Sequence, residues 1–271
     1  MKKLLVITTL LFIVFTVSAC GKNDVIRVGA TPVPHAEILE YVQPILKEQG
    51  FEFEVVVFTD YVLPNVALNS GDIQANFFQH IPYLDLQISE HDYDFVSVGG
   101  VHVEPIGLYS KVHSSLEDLP SEVHLVISNS PSDRPRLLGL LEEADLIALN
   151  SGVTNEDIVA STINGLSNLF TSEKVITFTE VDATQLFSNY DNRSGDAVLI
   201  NGNYALDNGL NPLEDALAIE GSASLFVNVL VTTSDNSEDP FVLALIEALQ
   251  SEAVQSWIEE NYGGAVVPAA S

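Results

Sequence analysis

The sequence predicts an α/β protein of two lobes joined by two chain crossings. Three observations carry this expectation. Short β-branched runs alternate with amphipathic segments in two successive series. Extended segments separate the series, Glu104–Ser110 leading out of the first and Leu225–Thr233 leading back to it. Finally, 46% hydrophobic residues in a chain of 271, with turn residues spread evenly, supply the apolar material for one large or two medium cores and exclude disorder.

The first series opens with Ile26–Ala30 as a strand and His35–Gln49 as a helix, whose residues Ile38, Leu39, Val42, Ile45 and Leu46 share one face before Gly50. Pro44 inside this helix removes a backbone hydrogen bond and predicts a kink. Phe51–Phe58 follows as a strand, Leu63–Leu68 as a short helix, Ile73–Phe78 as a strand, Ile81–Ser89 as a helix and Phe95–Val101 as a strand. Alternation of this length predicts a largely parallel sheet.

The second series has strands near Val123–Ile127, Val175–Phe178 and Ala197–Ile200, with helices near Arg134–Glu142, Glu156–Leu169 and Thr184–Tyr190. The chain closes with a single helix, N-capped by Asp239, with Pro240 at its first position, an apolar pattern over Phe241–Trp257 and Gly263 past its end. This helix is expected on the first lobe.

Phe58–Leu84 is the stretch richest in candidate binding groups, because it gathers Tyr61, Phe77, Phe78, His80 and Tyr83 between Pro-punctuated turns. Both aromatic clusters fall just past strand carboxyl ends, where open α/β sheets bind ligands. The composition suits a small amphipathic ligand. Phe77 is expected in the core and its neighbours at the ligand.

The first residues read as an address. Lys2-Lys3 is a basic n-region, Leu4–Phe15 an apolar stretch too short to span a bilayer comfortably, and Val17-Ser18-Ala19-Cys20 a small-residue cleavage site. Residues 1–19 are therefore expected to be a signal peptide. Cys20 is the only cysteine, so no disulfide forms within the chain. Its position resembles the lipidated cysteine of bacterial lipoproteins, which implies a lipidated tether over residues 20–25. The protein would then be lipid-anchored on the extracytoplasmic face of the cell membrane without spanning it.

Loss of Lys2 and Lys3 with the signal peptide moves the formal net charge from −28 to −30. So acidic a chain excludes nucleic acid as a partner. It points to a saline or alkaline habitat, against the simpler reading of a solubilising surface, because salt shortens the Debye length from about 8 Å at physiological ionic strength to about 3 Å at 1 M.

Five segments together carry a family resemblance: VGATPVPHAEIL (Val28–Leu39), FTDYVLPNVAL (Phe58–Leu68), FFQHIPYL (Phe77–Leu84), EPIGLYS (Glu104–Ser110) and INGNYA (Ile200–Ala205). In this order they resemble the methionine-binding lipoproteins of the NlpA type, substrate-binding components of ABC importers, from about Val28 to Gly264. The resemblance implies a two-lobed, type II periplasmic-binding-protein fold closing over an amino acid, methionine first. Lobe 1 is then 26–107 plus 225–271 and lobe 2 is 108–224. It further implies an ABC permease and its ATPase as partners, and neither cofactor, metal nor catalysis. No GxSxG or HExxH pattern stands in the sequence.

Carried over by motif, the resemblance puts ligand contacts at Tyr61, Phe78, His80 and Tyr83 from the first lobe. Arg136 in SNSPSDRPRLLGLL, Asn201 and Asn228 complete the set. An arginine fork suits an α-carboxylate, asparagine carbonyls suit an α-ammonium, and aromatic rings suit a thioether.

Each assignment has a structural competitor. Arg136 competes with a surface ion pair, for which Arg134 is the better candidate; His80 competes with a satisfied core histidine, and Asn201 with a helix cap. The chain also departs from the family pattern. Gln74 stands in place of an aspartate, Ile127–Asp133 replaces an IPND-x-x-N loop, and Leu225-Phe226 replaces a Pro-Tyr pair. Another amino acid, D-methionine or a methionyl dipeptide fits the same clamp. A metal-binding importer component is the more distant alternative, drawing on His35, His80, His91, His102, His113 and His124, although their spacing matches no zinc motif.

Overall fold

The computed structural model describes residues 25–221 and 226–269. The signal segment 1–19, Cys20 and Leu225 lie outside the described residues.

The first series of elements comprises β1 (Ile26–Ala30), α1 (Glu37–Glu48), β2 (Phe53–Val57), α2 (Leu63–Ser70), β3 (Ala75–His80), α3 (Ile81–His91) and β4 (Phe95–Val103). The chain then crosses through Glu104–Ile106 into the second: β5 (Gly107–Tyr109), β6 (Glu122–Ser128), α4 (Arg134–Glu143), β7 (Ala148–Leu149), α5 (Asn155–Ala160), α6 (Ile163–Leu166), β8 (Phe170–Thr171), β9 (Val175–Val181), α7 (Leu186–Asp191), β10 (Ala197–Ile200), α8 (Gly202–Asp207), α9 (Pro212–Asp215) and β11 (Ala218–Ile219). It returns with β12 (Val227–Thr233), α10 (Pro240–Leu249), α11 (Glu252–Tyr262) and β13 (Val267–Pro268).

Two sheets result, one per lobe, in the orders β13-β4-β12-β3-β1-β2 and β11-β5-β10-β6-β9, with β7 and β8 forming a separate ribbon. In the first sheet β2, β1 and β3 run parallel, but the returning β12 wedges between β3 and β4 antiparallel to both. In the second, β9, β6 and β10 are parallel while β5 lies antiparallel beside β10. The expectation of largely parallel sheets is therefore corrected. Each sheet is mixed, because the strands that carry the chain between lobes enter it from the opposite end.

Alternation along the strands sorts the core. Phe77 and Leu230 point to the face covered by α1, α10 and α11, where Ile38, Leu39, Leu245 and Ile258 pack. Val229 and Val231 point to the other face, against Leu68 and Leu84 of α2 and α3. The second sheet repeats this, with Leu125, Ile127 and Leu199 facing α4 and Val126, Val198 and Ile200 facing α7 and α8. With helices on both faces, every residue of β3 is buried, as a central strand requires.

Three local expectations change. Helix α1 begins at Glu37, after a wide turn over Pro32–Ala36 in which Val33 leaves helical backbone, and it then runs on through Pro44. The segment Glu156–Leu169 is two short helices, interrupted at Ser161 and Thr162, both extended. The C-terminal helix is also two, because Ser251 takes extended backbone and N-caps α11. Asp239 caps α10 by accepting from Phe241 N–H, and Gly263 ends α11 at φ +54, a left-handed position that favours glycine.

Candidate ligand-binding site

The two sheets direct their strand ends at one cleft, whose empty space of ≈ 390 Å³ includes space open to solvent, lined by Tyr61, Phe78, His80, Tyr83, Arg136, Asn201 and Asn228, together with groups described below. All seven side chains singled out in the sequence thus meet in one place, drawn from both lobes and the return strand.

The first-lobe wall is set by capping. Asp60 Oδ1 accepts from the backbone N–H groups of Val62 and Leu63 at 2.8 Å each, which fixes the loop that presents Tyr61. His80 ends β3 and caps α3: its Nδ1 accepts from Tyr83 N–H at 3.1 Å. That nitrogen is therefore unprotonated and Nε2 carries the hydrogen, which reaches Asp133 Oδ1 at 3.2 Å. Tyr83 Oη in turn donates to the Tyr61 carbonyl at 2.9 Å, and the Tyr61, Phe78 and Tyr83 rings sit 6.0–6.1 Å apart. Phe78 is as much a buried residue as Phe77, but it lines the cavity while Phe77 faces the core.

The second-lobe wall comes from the turn before α4 and from the end of β10. Arg136 is buried, with Nε 3.2 Å from Glu220 Oε2, Nη2 on the same oxygen, and Nη2 donating to the Glu104 carbonyl at 2.7 Å. Its guanidinium also lies 4.7 Å from the Phe226 ring centre. Nη1 makes no hydrogen bond among the described residues. Arg134, expected at the surface, is buried as well. It pairs with Glu180 and donates to the carbonyls of Val159 and Ser161. Asn201 occupies the cap position of α8 without capping it; its Nδ2 donates to Asp133 Oδ2 at 3.2 Å, and its buried Oδ1 has no partner among the described residues. Gly202 follows because a Cβ there would stand 3.0 Å from Glu104 Cβ and the Pro105 carbonyl, so α8 can approach the crossing closely.

Contacts across the cavity tie the lobes together: Tyr61 Oη donates to Asn203 Oδ1 at 2.6 Å, Tyr204 Oη to the Thr59 carbonyl at 3.3 Å, and His80 to Asp133. The arrangement is a closed one.

Sequence reasoning missed Gln79, Glu104, Asp133 and Asn203 in the lining. Each stood inside a motif already singled out, and the signal available was that motif. Glu104 lies on the crossing, where Oε1 accepts from His102 Nε2 at 2.7 Å and stands 3.0 Å from His35 Nε2, which Asn228 Oδ1 also approaches at 3.2 Å. Burial pushes the Glu104 carboxyl up, but the charge of His35 and the hydrogen bonds from both histidines outweigh it and hold it well below the usual range. Asp133 behaves alike: burial opposes ionisation, while His80, Arg136 and Asn201 hold its pKa down. Burial and the nearby Tyr204, Asp133 and Glu104 keep the Tyr61 hydroxyl firmly protonated.

The chain matches the NlpA lipoprotein family model over residues 26–270. The chain belongs to this family. It is 38% identical over 277 residues to the methionine-binding lipoprotein MetQ of Bacillus subtilis, covering 99% of both chains. A solved lipoprotein of the YaeC family from Enterococcus faecalis, a pheromone cOB1 precursor, superposes with a TM-score of 0.85 at 45% identity, covering 90% of this chain and 100% of that one. A nutrient-binding protein from Burkholderia cenocepacia, solved bound to methionine, superposes with a TM-score of 0.82 at 37% identity, covering 91% and 100%. The two-lobed periplasmic-binding-protein fold expected from the family motifs is thereby shown.

Among the described residues one group of three side chains could together ligate a metal, His35, His102 and Glu104, their ligand atoms lying within 4.8 Å of one another. All three are consumed in the hydrogen bonds just described, and only His102 Nδ1 is left buried without a partner. His113 pairs with Asp196, His124 with Thr179, and His91 lies against Tyr93. Among the described residues no helix is long and apolar enough to cross a membrane.

Proposed function

We propose that this NlpA-family chain is the substrate-binding lipoprotein of an ABC importer. It would be anchored through acylated Cys20 on the extracytoplasmic face, binding methionine between lobe 1 (26–107 plus 225–271) and lobe 2 (108–224) and delivering it to a permease and its ATPase. The observation that carries the reading is the sorting of chemistry in one cleft, where Arg136 and the amides of Asn201 and Asn228 share walls with the rings of Tyr61, Phe78 and Tyr83. An amino acid with an apolar, sulfur-bearing side chain matches that sorting. Glu220 and the Glu104 carbonyl orient the guanidinium, leaving Nη1 for the ligand carboxylate. The relatives named for methionine binding and the neighbour solved with methionine support the same ligand.

Thermal unfolding of residues 21–271 against L-methionine, D-methionine, other amino acids, methionyl dipeptides and divalent metals tests this. A ligand of the folded state stabilises it by about 2.7 kcal/mol at a hundredfold excess over Kd. A shift with L-methionine above the rest is expected. A shift with a different compound alone moves the specificity and keeps the importer role, and a shift with metal alone overturns the methionine reading.

A further inference from the structure

Four polar atoms from three chain segments converge at the crossings between the lobes. Glu104 Oε1 stands 2.7 Å from His102 Nε2 and 3.0 Å from His35 Nε2, and Asn228 Oδ1 lies 3.2 Å from that same His35 nitrogen. His35 belongs to the turn before α1, His102 and Glu104 to the end of β4 and the outward crossing, and Asn228 to the return strand β12. Hydrogen bonding draws these atoms together, and the lone pairs it uses are the ones a cation takes.

The separations match a coordination sphere. Bonds of about 2.0–2.1 Å to a first-row divalent ion set ligands about 2.9 Å apart at right angles and about 3.4 Å apart at the tetrahedral angle. Two imidazoles with a carboxylate and an amide oxygen suit zinc better than magnesium or calcium, which take oxygen ligands. The surroundings agree. His35 Nδ1 bonds Thr31 Oγ1 at 2.7 Å, the kind of outer contact that fixes the ring of a metal-ligating histidine, and the Phe77 ring packs edge-on against both imidazoles. Both histidines are fully buried, whereas Glu104 and Asn228 also line the cleft, which gives an ion its way in.

We propose that His35 Nε2, His102 Nε2, Glu104 Oε1 and Asn228 Oδ1 bind a divalent cation of the zinc class, which fastens both crossings to lobe 1. Each Nε2 then gives its lone pair to the ion while the ring hydrogen sits on Nδ1, as a neutral imidazole allows, so that His35 Nδ1 donates to Thr31 Oγ1. The ion is a structural group of the crossings and not the transported ligand. This inference therefore stands apart from the methionine reading.

Zinc titration of residues 21–271, stripped with chelator and held in excess calcium so that exposed carboxylates are occupied, tests the site by calorimetry and metal analysis. Wild type and His91→Gln, which alters an exposed histidine outside the cluster, are expected to hold one zinc per chain. His35→Gln and His102→Gln are expected to weaken it by more than the roughly 10–100-fold that loss of an outer-shell partner costs. Zinc bound by wild type no more tightly than by these two variants, or not at all in calcium, overturns the site and leaves a hydrogen-bonded cluster. Where neither variant folds, X-ray absorption at the zinc edge of the loaded wild type decides. Two imidazole nitrogens at about 2.0–2.1 Å are expected. Oxygen ligands alone, or a single imidazole, mean an adventitious ion only and overturn the proposal.

Discussion

Glu220 holds Arg136 by one edge of its guanidinium, with Nε at 3.2 Å and Nη2 on the same carboxylate oxygen, and that oxygen also accepts from the Ile106 backbone N–H at 3.1 Å. The arginine proposed to bind the ligand carboxylate is thus a member of a largely buried pair belonging to the fold. Its two roles, in stability and in binding, are separable by experiment.

Arg136→Ala is expected to weaken methionine binding by about 2–5 kcal/mol, a loss of one partner of a desolvated charged contact. It should also lower stability, because Glu220, whose side chain is 10% exposed, loses the guanidinium. In the double variant Arg136→Ala, Glu220→Gln the charge that faced the guanidinium is gone as well, so denaturant unfolding should recover part of the lost stability while calorimetry still reads the weakened binding. Recovery of binding in the double variant would show that Arg136 does not reach the ligand.

Phe77 is fully buried and packs edge-on against the rings of His35 at 4.7 Å and His102 at 5.3 Å. Phe77→Ala is expected to cost about 3–5 kcal/mol in urea unfolding, the range for removing a fully buried aromatic. A loss under 1 kcal/mol would mean that the core beneath His35 and His102 repacks.

The Glu104 carboxyl has its folded pKa below its unfolded value of about 4.3, and burial likewise lowers that of His102 below about 6.5. In both cases the unfolded state binds more protons, so the stabilisation is present above the unfolded pKa and is lost as pH falls toward the folded one. The stability gap between wild type and Glu104→Gln, measured by urea unfolding from pH 8 to pH 3, should be widest near neutrality and should close on acidification below about pH 4. A gap that widens in acid would contradict the ionised state of Glu104.

With a formal net charge of −28, the chain repels itself wherever solvent fails to screen it. Raising NaCl from 0.1 M to 1 M shortens the Debye length from about 10 Å to about 3 Å. Thermal unfolding at the two concentrations should show a higher Tm in salt. An unchanged Tm would leave the acidic surface as a solubilising device only.

Several elements were legible because their cause is local. Asp239-Pro240 starts a helix and Gly263 ends one wherever they stand, and the stripe from Ile38 to Leu46 makes α1 amphipathic without help from the rest of the chain. Others needed the tertiary structure. Glu156–Leu169 has helical periodicity, yet the guanidinium of Arg134 takes the carbonyls of Val159 and Ser161, and the backbone turns extended there. The long C-terminal pattern breaks at Ser251 beside Gln250, whose side chain donates to the Gly100 carbonyl in β4. In the candidate site, motif residues pointed to the right walls, but Asp133 and Glu104 became members only when His80, Asn201, His35 and His102 closed on them from other segments.

The sequence by itself determined the α/β class, the two series of elements, the family and the short list of side chains that converge, since hydrophobic period, capping residues and motifs are properties of neighbours in the chain. The tertiary structure alone decided that β12 enters the middle of the first sheet, that Arg136 is held by Glu220, and that Asp133 rather than a surface charge faces the cavity. Those outcomes depend on burial and on partners more than 50 residues apart in sequence, as with His80 and Asp133, which approach only when both cores have formed.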